Sequence, residues 1–127
     1  MKNLVNSIES ANNYFKSSES AQMLAIYSDN SRDVYPVIEW LTECVTKKIR
    51  KGIAVSVEHL ANCSTLQSLM REAVKEAAEL GECRQFSIDD RRAVAYRIAD
   101  EIIENAMCAQ ELEHYYTDTQ RAYARIA

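Results

Sequence analysis

The sequence predicts an all-α fold: a single-domain helical bundle spanning residues 1–127, with about five to six helices and a long C-terminal one. Three observations carry this. The chain holds only two glycines and one proline, whereas a sheet protein needs turn residues at every hairpin. Apolar residues recur at helical spacing in segment after segment. Those segments are bounded by serine, aspartate and asparagine at their starts and by the two glycines at stops. A hydrophobic content of 47% can fill a core, so disorder is not expected.

In order, Asn3 is placed to cap a first helix in which Leu4, Ile8, Ala11 and Phe15 recur at helical spacing. A serine-rich link, Ser17 to Ser20, leads to a short helix over Ala21 to Tyr27, with Met23, Leu24 and Tyr27 on one face. Ser28 to Ser31 reads as a turn, because each side chain can bond its own backbone. Asp33 to Gly52 is the clearest helix. Val34, Val37, Ile38, Leu41, Val45 and Ile49 fall at i, i+3, i+4, i+7, i+11 and i+15, with Trp40 and Cys44 widening the stripe. Glu39, Thr42, Glu43, Thr46, Lys47 and Arg50 fall mostly on the other side. Ser31 or Asp33 caps its start, Pro36 belongs in its first turn, and Gly52 supplies a left-handed stop. It is expected to be the central helix of the bundle.

After an extended connector at Ile53 to Val55, Ser56 caps a two-turn helix that Asn62-Cys63-Ser64 breaks. Ser64 and Gln67 have capping-box spacing, opening a helix striped by Leu66, Leu69, Met70, Ala73, Ala77 and Leu80 and stopped by Gly81. Ser87 and Asp90 repeat that spacing and open the longest helix. Its expected buried side is Val94, Ala95, Ile98, Ile102, Ala106, Ala109 and Leu112, with an extension through Tyr116, Tyr123 and Ile126 or a restart at Thr117.

The net charge of −4 is unevenly spread. Residues 32–75 carry seven basic and five acidic side chains, whereas residues 76–120 carry four and eleven. An acidic chain is a poor non-specific binder of nucleic acid, since phosphate neutralisation supplies most of that affinity. Cys44, Cys63, Cys83 and Cys108 are far apart in sequence and form no C-x-x-C pair. The opening residues do not read as a signal peptide, and no apolar run approaches the ~18 residues of a membrane span. A cytoplasmic protein with reduced thiols and no membrane partner is the expectation.

The chemistry-bearing patterns are sparse. Glu111-x-x-His114 has the spacing of helical di-iron sites, with Glu101 and Glu104 upstream, but such a site needs a second copy of the motif and the sequence has none. His59 and Cys63 are one turn apart, too few ligands for zinc. There is no G-x-S-x-G and no glycine-rich phosphate cradle. No catalytic residue, metal or cofactor is therefore assigned, and an enzyme is not expected.

Two binding surfaces are candidates. The first is protein-binding: the carboxylates Glu101, Glu104, Glu111 and Glu113 with the tail residues Tyr115, Tyr116, Arg121 and Tyr123, of which tyrosine and arginine are types that interfaces favour. The second is a helix–turn–helix from Ser56 to Leu80. In it Thr65, Gln67, Ser68 and Arg71 would meet base edges while Lys47, Lys48, Arg50 and Lys51 hold phosphates. Against it, Glu72 and Glu76 lie on the reading helix, and any helical bundle contains helix pairs joined by short turns.

Tyr27-Ser28-Asp29-Asn30-Ser31-Arg32-Asp33-Val34-Tyr35-Pro36 resembles small helical proteins, with no activity attached, encoded by bacteriophages and other mobile elements of gut bacteria. The resemblance continues through Lys47-Lys48, Lys51-Gly52, Leu60-Ala61-Asn62-Cys63-Ser64-Thr65 and Arg91-Arg92-Ala93-Val94, spanning about residues 24–106. It implies an accessory protein that binds and blocks a host protein, such as a CRISPR or restriction nuclease. The expected function is thus an acidic protein-binding accessory factor, an inhibitor of a host defence nuclease. The alternatives are a DNA-binding regulator using residues 56–80 and a homo-oligomeric structural component.

Overall fold

A computed structural model of the protein describes residues 4–126, with side chains described as far as Ala109. Six helices follow one another: α1 (Ile8–Ser17), α2 (Glu19–Asp29), α3 (Val34–Arg50), α4 (Val57–Ala61), α5 (Ser64–Glu79) and α6 (Ile88–Ile126). No strand occurs among the described residues. The expected all-helical class and the long C-terminal helix are both present.

The hub is α6, not α3. Each of the other helices packs on α6. Ala93, Val94, Ala95 and Tyr96 are buried in succession, followed by Ile98, Ala99, Ile102 and Ala106. Four successive buried residues leave no face of that turn in water, so Ala93 to Tyr96 are covered all round, and the alanines let neighbouring helices approach closely. Further along, Arg97, Asp100, Glu101 and Glu104 keep one stripe in solvent. By contrast α3 buries one stripe (Val34, Leu41, Val45) and keeps Tyr35 and Trp40 65% and 55% exposed. Its clean amphipathic pattern is that of a peripheral helix. Trp40 therefore does not widen the buried stripe, and Thr46, expected outside, is buried, with its hydroxyl donating to the Thr42 carbonyl at 2.7 Å.

Helix starts follow local hydrogen bonding. Asn3, expected as the first cap, lies outside the described residues; α1 begins at Ile8, where Ser7 and Ser10 form a reciprocal cap, so Leu4 precedes the helix. The extended segment before it is held on α6: the Val5 N–H donates to Asp89 Oδ1 at 3.2 Å, and Arg92 Nε donates to the Val5 carbonyl at 2.8 Å. Ser18 ends α1 and caps α2, so the serine-rich link shrinks to one residue and α2 runs on through Asp29. In α3, Asp33 holds the cap position without a side-chain bond, and Pro36 sits in the first turn.

Ser56 caps α4, accepting from the His59 N–H at 3.0 Å, but α4 spans only five residues. Cys63, not Ser64, precedes α5, and the Gln67 amide donates to the Ala61 carbonyl at 3.1 Å instead of closing a capping box. The α5 stripe is buried through Ala77, whereas Leu80 is 76% exposed because the helix has already ended at Glu79. Ser87 and Asp90 do form the expected reciprocal cap of α6. Ala109, expected inside, is exposed, as are Met107 and Cys108. From there α6 continues as one backbone helix to Ile126, without a restart at Thr117.

Candidate functional site

Two grooves flank the C-terminal end of α2 and share Asp29 and Glu101 as walls. The first, of ≈ 550 Å³, lies between α1, α2 and α6; Phe15, Ile26, Val94 and Ile98 give it an apolar lining. Asp29, Asp100, Glu101 and Glu104 rim it, with Arg97 as its one lining cation. The second, of ≈ 430 Å³, lies between α2, α3 and α6 and carries Tyr35, Ile38, Glu39 and Glu43. Together they form an acidic trough with exposed apolar residues, Ile26 and Tyr35, along it.

The placement follows from helix periodicity. On α6, Arg97, Asp100, Glu101 and Glu104 fall at i, i+3, i+4 and i+7, the stripe opposite the most deeply buried residues. On α3, Tyr35, Glu39 and Glu43 follow one another at intervals of one turn. Arg97 lies over the face of Phe15, its guanidinium carbon 3.9 Å from the ring centroid, and its Nη1 donates to Asn12 Oδ1 at 3.4 Å.

Of the expected protein-binding residues, Glu101 and Glu104 are exposed on this trough. Glu111, Glu113, Tyr115, Tyr116, Arg121 and Tyr123 lie outside the residues whose side chains are described. Sequence reading missed Asp29, Glu39 and Glu43, which three different positions in the chain bring to the same surface. The signal was available only on α3, as the outward spacing of Glu39 and Glu43.

The positions expected to read DNA are less well gathered. Thr65 and Ser68 line a groove of ≈ 490 Å³ between the N-terminal ends of α3 and α5, beside Asp33 and Glu72. Arg71 is exposed and donates to Ser68 Oγ at 3.3 Å. Gln67 is turned inward to Ala61. Lys47, Lys48, Arg50 and Lys51 are exposed at the opposite end of α3, ten residues beyond Val37 and so roughly 15 Å along the helix axis. Two carboxylates, not the lysines, stand beside the outward start of α5.

At the far edge of the bundle, Glu82 fastens the α5–α6 connector to α2. Tyr27 Oη donates to Glu82 Oε2 at 2.9 Å, and the Arg84 N–H donates to Glu82 Oε1 at 3.0 Å. The Arg84 amide foremost, and then the tyrosine, hold the Glu82 carboxyl below its ordinary range. The same bond pushes the Tyr27 phenol up. Cys44, Cys63, Cys83 and Cys108 are free thiols. Among the described residues no group of three His, Cys, Asp or Glu side chains is gathered as for a metal ion, and no helix is long and apolar enough to cross a membrane.

No family model, curated protein or solved structure matches the chain.

Proposed function

We propose that the chain is a non-enzymatic protein-binding module whose acidic trough docks on a basic surface of another protein, such as the nucleic-acid-binding groove of a defence nuclease. The observation that supports it is the convergence of Asp29, Glu39, Glu43, Asp100, Glu101 and Glu104 on two adjoining grooves against a single lining cation, Arg97. Such a field steers a basic partner into encounter and disfavours acidic ones. Ile26 and Tyr35, both more than half exposed, add the apolar contact that charge alone lacks.

The test is affinity capture from a host lysate with the wild-type chain and a Glu43→Gln/Glu101→Gln/Glu104→Gln variant, before and after nuclease treatment. A protein partner retained after nuclease treatment, lost with the variant and released above about 0.5 M salt is the expected result. Capture that persists undiminished in both the variant and high salt rules out the acidic docking face.

A further inference from the structure

We propose that the groove between α1, α2 and α6 takes an arginine side chain of the partner over the face of Phe15, and that Arg97 is the resident guanidinium this side chain displaces. The inference rests on the docking reading above and adds the chemistry of the contact. Arg97 shows that the ring accepts a guanidinium, at 3.9 Å from its centroid. It is loosely held: the residue is exposed, and its one hydrogen bond, to Asn12, is long at 3.4 Å.

The carboxylates around it remain available. Asp100, Glu101 and Glu104 follow Arg97 on α6 and Asp29 faces them from α2, yet among the described residues Arg97 forms no ion pair with any of them. An incoming guanidinium thus meets an aromatic face and several unneutralised acceptors together. Arginine suits this arrangement better than lysine, because its planar group stacks and is more weakly hydrated, whereas an ammonium is a compact and strongly hydrated charge. Arg97 then acts as an internal competitor for the Phe15 face, which lowers the affinity of every incoming cation and which a cation that stacks displaces best.

The full chain is titrated with labelled oligoarginine and oligolysine peptides of equal length at low salt, reading fluorescence anisotropy. Oligoarginine is expected to bind about two- to five-fold more tightly than oligolysine. Phe15→Leu, which keeps apolar volume without a π face, should erase that preference. Arg97→Gln should tighten oligoarginine binding by roughly threefold, since the competitor's charge is gone. Phe15 packs against the core, so if Phe15→Leu loses its helical circular dichroism, the exposed Arg97→Gln variant decides alone. Equal affinity for the two peptides, or no tightening with Arg97→Gln, overturns the guanidinium assignment and leaves the acidic docking face standing. Failure of both peptides to bind wild-type protein, or binding unaltered by Glu101→Gln/Glu104→Gln, overturns the docking face itself.

Discussion

Tyr14 Oη donates to Asp90 Oδ1 at 2.9 Å, tying α1 to the first turn of α6. The same oxygen accepts from Ser18 Oγ at 2.9 Å, at the junction of α1 and α2, while Oδ2 accepts from the Ser87 N–H at 2.9 Å. A carboxylate only 4% exposed is thus satisfied by three donors from three places in the chain. Asp90→Ala should destabilise by about 1–3 kcal/mol, because it removes one half of the reciprocal cap and the shared acceptor of two half-buried hydroxyls. Urea unfolding measures this. A loss under about 0.5 kcal/mol would show that water replaces the carboxylate at no cost.

The centrality of α6 separates two substitutions of large apolar residues. Ile102 is fully buried, so Ile102→Ala should cost about 2–5 kcal/mol. Trp40, the larger side chain, is 55% exposed, and Trp40→Ala should cost less than about 1 kcal/mol. Thermal or urea unfolding of the pair ranks them, and the reverse order would restore α3 as the core helix.

Gly52 ends α3 with φ +77°, and a Cβ there would meet nothing within 4 Å. Only the backbone conformation then resists a side chain. Gly52→Ala should lower stability by about 1 kcal/mol with no change in helix content, read by circular dichroism during unfolding.

Glu82 gives the acid limb of stability a specific source. Its folded-state value lies below its unfolded one, so its contribution is present above the unfolded value and is lost as pH falls through the folded value. Tyr27 has the opposite sense: its raised value gives a contribution present below its ordinary value near ~10 and lost as pH climbs through the folded one. Tyr27→Phe removes one of two donors to Glu82, so the Glu82 midpoint should rise, as followed by carboxyl-carbon NMR. An unmoved midpoint would mean that the Arg84 amide acts alone.

Separation of the lysines from the start of α5 bears on the DNA-binding alternative. If the Ser56–Leu80 unit reads duplex DNA, Arg71→Ala and Lys48→Ala each weaken a gel-shift complex at low salt, Lys48→Ala about equally for all sequences. The acidic docking face predicts no complex at low salt with wild-type protein.

What the sequence determined by itself was local. The scarcity of glycine and proline, the helical stripes, the Gly52 and Gly81 stops and the Ser87–Asp90 cap all act within a few residues, and each is present in the fold. Where such reading failed, the deciding interaction was either a rival local bond or a distant one. At α1, Ser7 and Ser10 supply the start by capping each other, and Gln67 finds the Ala61 carbonyl rather than a capping box.

Only the tertiary structure decided which helix is central. A stripe records that one face is covered, so the clearest stripe, on α3, marks a helix with its other face in water. On α6 the run from Ala93 to Tyr96 is buried all round, and all five other helices pack on α6, leaving the stripe of Arg97, Asp100 and Glu101 beyond it in water. The acidic trough is likewise a product of packing. Asp29, Glu43 and Glu101 are remote in sequence, and only the docking of α2 and α3 on α6 puts their like charges on one surface, where solvent tolerates them and a cationic partner can neutralise them.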